Sequence, residues 1–233
     1  GDYTLNANTT ASFNTAIGQG ALLVNTTGSE NVAVGTDALV TNTTATKNTA
    51  VGRQALLGNT TGPNAVAVGY RALAGNTAGW NNVGIGYRAL GSNTTASYST
   101  AVGYDALYAN TTGAGNTAIG YQALKTNTTG GGNTIVGRMA GFSNTTASNN
   151  TAVGYQALTA NTTGTRNTAV GGVALDALTT ESDNTAIGYA ALSSEVSGFR
   201  NTAVGSGAGA NQNGGTNNAL LGYNAGSNIT TGD

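Results

Sequence analysis

The sequence repeats with a fixed period of 17 residues. A glycine preceded by Val, Ile or Leu recurs thirteen times between Gly18 and Gly222, always at this interval. Each unit can be written N-T-A-V-G-Y-Q-A-L-x-x-N-T-T-G-x-x, with this glycine at position five. Fixed periods near 20 residues are typical of stacked units that cannot bury an apolar face alone. Because no unit carries an insertion, each is predicted to form one complete coil.

The residue types favour β-structure over helices. Segments between glycines are too short, and too rich in Thr and Asn, for pairs of helices. We therefore predict an all-β fold, a β-solenoid of the β-roll type with about thirteen 17-residue coils, in a homotrimer or fibre. Residues 1–233 are interpreted as a single repeat array, with regular coils over residues 1–170 and less regular coils over residues 171–233.

Charged residues test this stacking, because residues 17 apart should be vertical neighbours about 4.8 Å apart. Arg88 precedes Asp105, and Arg166 precedes Asp183, at this spacing. Arg71 and Arg88 form a like-charge neighbour pair that runs against the pattern. The balance favours in-register coils.

Composition removes several classes of function. The chain has no Cys or His and only 7% charged residues, with a net charge of -1. Thiolate or imidazole metal sites and Ser-His-Asp relays are therefore excluded, and we predict no enzyme, catalytic residue, metal or cofactor. Scarce Lys and Arg argue against a nucleic-acid partner, and no apolar run predicts a membrane span. An acidic group, Asp176, Glu181 and Asp183, lacks a Ca²⁺-loop spacing and carries only a weak metal hypothesis.

Four columns of the repeat predict the corner and the core. Position five is always Gly, as expected for a corner that needs positive φ or close backbone approach. Position eight is always Ala, which predicts a thin, tightly packed coil, and positions four and nine are expected to supply most apolar burial. Where Gly141 replaces the usual Leu at position nine, Phe142 is expected to fill the gap. The corner glycines include Gly18, Gly35, Gly52, Gly86, Gly120 and Gly154.

Position three is also apolar, mostly Ala, beside the Val, Ile or Leu of position four. Adjacent strand residues point to opposite faces, so the strand has two apolar faces. One face can line the coil, and the other predicts a homo-oligomer, with three coils around a common axis. The alternative is a monomeric solenoid with an exposed Ala stripe.

Asn fills position one in eleven units and position twelve in nine. Stacked Asn side chains can form a hydrogen-bonded ladder, and the N-T-T sequons at position twelve could instead accept glycans. Neighbouring Thr at positions thirteen and fourteen leave ice binding as a weaker alternative. The ladder and sequon residues include Asn25, Asn42, Asn59, Asn93, Asn110, Asn127, Asn144 and Asn161.

Position six carries a column of tyrosines. An outward aromatic column could stack on sugars, or it could serve as a solvated spine or part of an interface. A glycan-binding module on a host surface is therefore the alternative function. The column includes Tyr70, Tyr87, Tyr104, Tyr121, Tyr155 and Tyr189.

The phrase N-T-A-[VI]-G-Y-Q-A-L-x-x-N-T-T-G resembles repeats of bacterial and phage tail-fibre-like surface proteins. Its core A-[VI]-G-x-x-A is similar to the head repeat of YadA-like trimeric autotransporter adhesins. The resemblance implies a left-handed β-roll in a trimer, with a role in adhesion or fibre scaffolding.

We therefore expect a rigid rod or head segment at the cell surface, outside the cell, or on a virion. Its main partner would be itself. The chain begins within a unit at Gly1 and stops at position sixteen with Asp233, which predicts part of a longer array or a protomer that joins end to end into filaments.

Overall fold

The computed structural model, which describes residues 1–229, confirms an all-β solenoid of parallel strands with a 17-residue repeat. Within that range there are thirteen three-residue strands and no helix. Each strand occupies positions two to four of a unit, and the rest of the coil is turns and bends. The strands are β1 Thr15–Ile17, β2 Val32–Val34, β3 Thr49–Val51, β4 Val66–Val68, β5 Val83–Ile85, β6 Thr100–Val102, β7 Thr117–Ile119, β8 Thr134–Val136, β9 Thr151–Val153, β10 Thr168–Val170, β11 Thr185–Ile187, β12 Thr202–Val204 and β13 Ala219–Leu221.

The chain divides into two compact units, residues 1–115 with β1–β6 and residues 116–233 with β7–β13. In the first unit β1 and β2 pair in parallel with Thr15 opposite Val32, and in the second β7 and β8 pair with Thr117 opposite Thr134. Both pairs keep the 17-residue offset predicted for stacked coils. The organisation of residues 1–233 as one array remains a prediction.

The corner at position five requires glycine for two reasons. All thirteen of these glycines have φ between 122° and 141°, a region that side chains with a Cβ rarely adopt. A Cβ on Gly120 would also lie 2.6 Å from the carbonyl oxygen of Gly137 in the next coil. Substitution there would therefore strain the backbone and separate two coils.

Positions seven, nine and seventeen are also left-handed, although most of them carry side chains. Asp37, Leu39 and Lys47 have φ of 57°, 51° and 61°. Such a residue costs on the order of 1–2 kcal/mol. Hydrogen bonds between coils offset this cost; the amide of Leu39, for example, donates to the carbonyl of Ala55 at 3.0 Å.

The core lies on the opposite face of the strand from the one predicted. Position-three residues such as Ala50 are fully buried, as are position-eight residues such as Ala55 and position-nine residues such as Leu56. Position four, expected in the core, faces outward: Val51 is 37% exposed and Ile119 is 40% exposed. The prediction that the Ala residues of position three face solvent or a partner is therefore wrong. They point inward, and the Val or Ile of position four points outward.

Where Gly replaces Leu at position nine, a larger side chain at position three fills the space in the core. A Cβ on Gly141 would lie 3.3 Å from Cδ1 of Ile135, which is 1% exposed and occupies position three of the same coil. Ile135 therefore fills this space, whereas Phe142 is only half-buried, which corrects the expectation for that residue. The two Cδ atoms of Leu220 fill the corresponding space beside Gly226.

Candidate binding surface

The Asn residues of position twelve form an interior ladder. Asn42 Nδ2 donates to Oδ1 of Asn25 in the preceding coil at 2.7 Å and to the carbonyl of Ala45 in its own coil at 3.1 Å. The amide therefore joins two coils and closes its own turn. The eight predicted residues are all at most 2% exposed: Asn25, Asn42, Asn59, Asn93, Asn110, Asn127, Asn144 and Asn161.

This burial corrects the glycan-acceptor interpretation of the sequons. A glycan would be attached to Nδ2, the atom that donates within the ladder and to the carbonyl three residues later. The folded coil leaves no accessible amide nitrogen at these eight positions. Their role in the structure is to hold coils together.

The two Thr columns have different environments. Thr26 Oγ1 donates to the carbonyl of Thr43 in the next coil at 3.0 Å, whereas Thr27 is exposed. One hydroxyl column is therefore used by the fold and the other faces water. This arrangement does not give the paired outward Thr columns on which the ice-binding alternative depends.

The tyrosines of position six stack on one another in the first unit. The Tyr70 and Tyr87 ring centroids are 5.3 Å apart with planes 18° apart, and the Tyr87 and Tyr104 centroids are 4.8 Å apart with planes 7° apart. Arg53, also at position six, lies 5.9 Å from the Tyr70 centroid. Its guanidinium extends the column by a cation–π contact.

In the second unit one arginine of the same column, Arg138, lies between two tyrosines. The Arg138 guanidinium lies 5.9 Å from the Tyr121 centroid and 5.4 Å from the Tyr155 centroid. Tyr189 follows the small residue Gly172 and is 67% exposed. The arginines of this column were not predicted, although their position in the repeat was visible in the sequence.

This stacking limits how the column could bind sugars. A pyranose ring stacks on an open aromatic face, but Tyr87 has a neighbouring ring on each side. What it offers to solvent is its ring edge and hydroxyl. The tyrosine column is therefore a spine with a polar rim in this part of the chain.

Beside this spine lies an open cleft of about 170 Å³. Within it, the Arg88 guanidinium lies 3.9 Å from the Tyr108 ring centroid, and its Nε is 3.5 Å from Oδ1 of Asp105. The cleft is lined mainly by Tyr70, Arg71, Ala74, Tyr87, Arg88 and Tyr108.

The electrostatics keep Arg88 charged. Partial burial opposes its charge, but Asp105 and hydrogen bonds with Tyr87 and Tyr108 outweigh that effect. The pKa of the guanidinium therefore lies above its ordinary value. The cleft presents a fixed cation beside tyrosine hydroxyls.

The part of the chain that the structure describes contains no cluster of residues that could bind a metal ion. Among residues 1–229 no group of three or more acidic side chains is placed to hold a metal ion, and Asp176, Glu181 and Asp183 do not converge on one. Burial raises the pKa of Asp176. Over the same residues there is no helix of the length and apolarity that a membrane span requires.

Comparison with known proteins adds no relative. No protein-family model, curated protein or solved structure gives a significant match to the sequence.

Proposed function

We propose that this chain is a structural segment of an extracellular fibre or surface adhesin, and that its coils associate laterally with further copies of the chain. The observation that carries the proposal is the outward row of position-four residues. Residues such as Val51, Ile85, Val153 and Ile187 are between 37% and 41% exposed.

The composition of the outward face supports association. Positions two and four of each unit share this face. In β2 both are Val, namely Val32 and Val34, and both are half-buried, whereas most other strands carry Thr at position two. Both faces of a parallel sheet are usually covered, but the outward residues Val51 and Ile119 remain more than a third exposed. A second copy presenting the same row would remove these apolar groups from water.

Regular stacking supports a mechanical role. Backbone hydrogen bonds join successive coils outside the strands as well as within them, as in the 2.9 Å bond from Thr26 to Thr43. In stacked repeats of this kind, stability comes largely from contacts between neighbouring units. A row of such coils makes a stiff spacer. Placement outside the cell or on a virion rests on the resemblance of the repeat to fibre and adhesin repeats.

The association is tested by light scattering coupled to size-exclusion chromatography. We expect a trimer, three times the chain mass of 22.8 kDa, while elution as very large particles would support end-to-end filaments instead. Val153→Lys should shift the protein toward the mass of one chain. The matched control is Thr163→Lys, on an exposed residue of the following turn, which should leave the assembly intact.

A single-chain mass for the unmodified protein would contradict lateral association. If both lysine variants dissociated the assembly equally, the position-four row would not be the interface. Circular dichroism of each variant should show the same spectrum, because both sites face outward and neither contributes to the core.

A further inference from the structure

We propose that the cleft beside the tyrosine column binds an acidic oligosaccharide, with a carboxylate or sulfate group held between Arg71 and Arg88. This inference goes beyond the fibre role, because a scaffold needs no anion site. Arg71 and Arg88, the like-charge pair of the repeat, occupy the same column in adjacent coils.

The charge balance of this column is uneven. Arg71, Arg88 and Asp105 occupy position seven of three successive coils, and Asp105 compensates Arg88 from the side opposite Arg71. The side chain of Arg71 is exposed and has no ion-pair partner among residues 1–229. An oxyanion between the two guanidinium groups would relieve their repulsion and add charge-assisted hydrogen bonds.

The site is built before any ligand arrives. A Cβ on Gly91 would lie 3.0 Å from the Tyr108 ring, so glycine at this place lets the ring lie close to the coil. The ring then supports the Arg88 guanidinium from 3.9 Å, and Oδ1 of Asp105 lies 3.5 Å from its Nε. Ordering these groups in advance lowers the entropy cost of binding.

The surroundings favour a saccharide over a dense polyanion. The chain has a net charge of -1 and eight Lys and Arg in total, so it lacks the basic surface that nucleic acids require. Tyr70 and Tyr87 line the cleft beside the arginines, and their hydroxyl groups can bond to sugar hydroxyls. One or two negative charges on a polyhydroxylated ligand match this chemistry.

The test is calorimetric titration of the full chain with trigalacturonate, which carries a carboxylate on each sugar. We expect binding that weakens with added salt, and at least tenfold weaker binding by neutral maltotriose and by sodium sulfate. Arg71→Ala should reduce trigalacturonate affinity at least tenfold. Arg138→Ala is the matched control, since Arg138 also contacts two tyrosines but lies outside the cleft, and it should bind normally.

A second measurement separates binding from folding. Without ligand, Arg71→Ala should melt at or above the temperature of the unmodified chain, because it removes repulsion from Arg88. Undiminished binding by Arg71→Ala, equal losses in Arg71→Ala and Arg138→Ala, or equal binding of maltotriose and trigalacturonate would overturn the proposal. Tighter binding of a DNA oligonucleotide than of trigalacturonate would overturn the saccharide assignment. These results do not depend on the mass that tests lateral association.

Discussion

Position twelve differs between two regions of the second unit. Asn144 Nδ2 donates to Asn127 Oδ1 at 3.0 Å, and Asn161 continues the ladder with a 3.5 Å bond to Asn144. The next three coils carry Leu178, Glu195 and Gln212 at the same position, all fully buried. One region has Asn at position twelve of each coil, and the other has a different residue in each coil.

The change leaves buried polar atoms without partners. Oδ1 of Asn161 has none, because Leu178 in the next coil carries no donor. Glu195 Oε1 accepts from the amides of Gly198 at 2.6 Å and Gly214 at 2.8 Å, but its Oε2 and both polar side-chain atoms of Gln212 have no partner. Buried polar atoms of this kind destabilise a fold.

The coil nevertheless continues through the change. Strands β10–β13 keep parallel, in-register pairing, and the position-one ladder persists: Asn201 N donates to Asn184 Oδ1 at 3.0 Å. That ladder uses a backbone N–H as donor, so it tolerates other side chains; Ser99 N donates to Asn82 in the same way. Position twelve bonds side chain to side chain and needs identical neighbours. Position twelve therefore adjusts local stability, while other columns specify the coil.

The largest effect should come from removing the acceptor that replaces the ladder. Glu195→Leu would leave the N–H groups of Ser197, Gly198 and Gly214 without their carboxylate, so we expect a loss of roughly 3 kcal/mol or more in unfolding free energy. Urea unfolding measures the total loss, and faster hydrogen exchange at these amides locates it. The exposed neighbour Val196 is the control, and a Val196→Ala change of equal size would contradict this role for Glu195.

A smaller effect should follow from copying the change at Leu178 into the regular region. Asn144→Leu removes the donor to Asn127 and the acceptor for Asn161, with an expected cost of about 2 kcal/mol. Thr146→Leu, the same new side chain on an exposed residue of this coil, should change the unfolding free energy little. If the two variants unfold at the same urea concentration, the ladder contributes no stability beyond general packing.

The reverse substitution, from a polar to an apolar residue, tests the irregular region. Gln212→Leu replaces a fully buried amide that has no partner by an apolar side chain of similar length. We expect thermal unfolding to show a gain of about 1–2 kcal/mol. Gln19→Leu is the control, because Gln19 is exposed and its amide gains nothing from removal. Destabilisation by Gln212→Leu would mean that the amide is satisfied in solution, for example by an internal water molecule.

The period predicts much of this structure because every coil solves the same packing problem. In-register coils and the vertical contact of Arg166 with Asp183 follow from the 17-residue spacing. The direction of the strand faces does not, because positions three and four are both apolar and either could face inward. Burial of Ala50 rather than Val51 reflects the narrow coil, which position eight already indicated.

The left-handed residues and the hydrogen-bond partners of Glu195 were harder to predict from the sequence. Leu is not expected at φ near 50°, yet Leu39 adopts it because burial fixes its place. A signal did exist, since Gly141 and Gly209 replace Leu in this column. The partners of Glu195 depend on how two loops approach each other, which no column of the repeat encodes.

The smallest effect concerns the surface pair that spans the end of the ladder. Arg166 lies in the coil of Asn161, and Asp183 lies in the coil of Leu178. The guanidinium donates to Asp183 from Nε at 2.6 Å and from Nη2 at 2.9 Å, and these hydrogen bonds hold the pKa of the carboxyl below its ordinary value. A bidentate pair at this rung links the two regions from outside, but its exposure to water weakens it.

The lowered pKa of Asp183 fixes how this contribution depends on pH. A carboxyl with a lower pKa in the folded state stabilises the fold above its unfolded pKa of about 4, and this stabilisation disappears as the pH falls through the lowered value. Asp183→Asn should therefore melt slightly below the unmodified chain at pH 7 and equally with it at strongly acid pH. High salt should shrink the difference at pH 7. If the pair acts as described, Arg166→Gln should have a similar effect, and the double variant should melt no lower than either single variant. A pH-independent difference would instead mean that Asp183 acts through packing, and the link across the end of the ladder would then not be electrostatic.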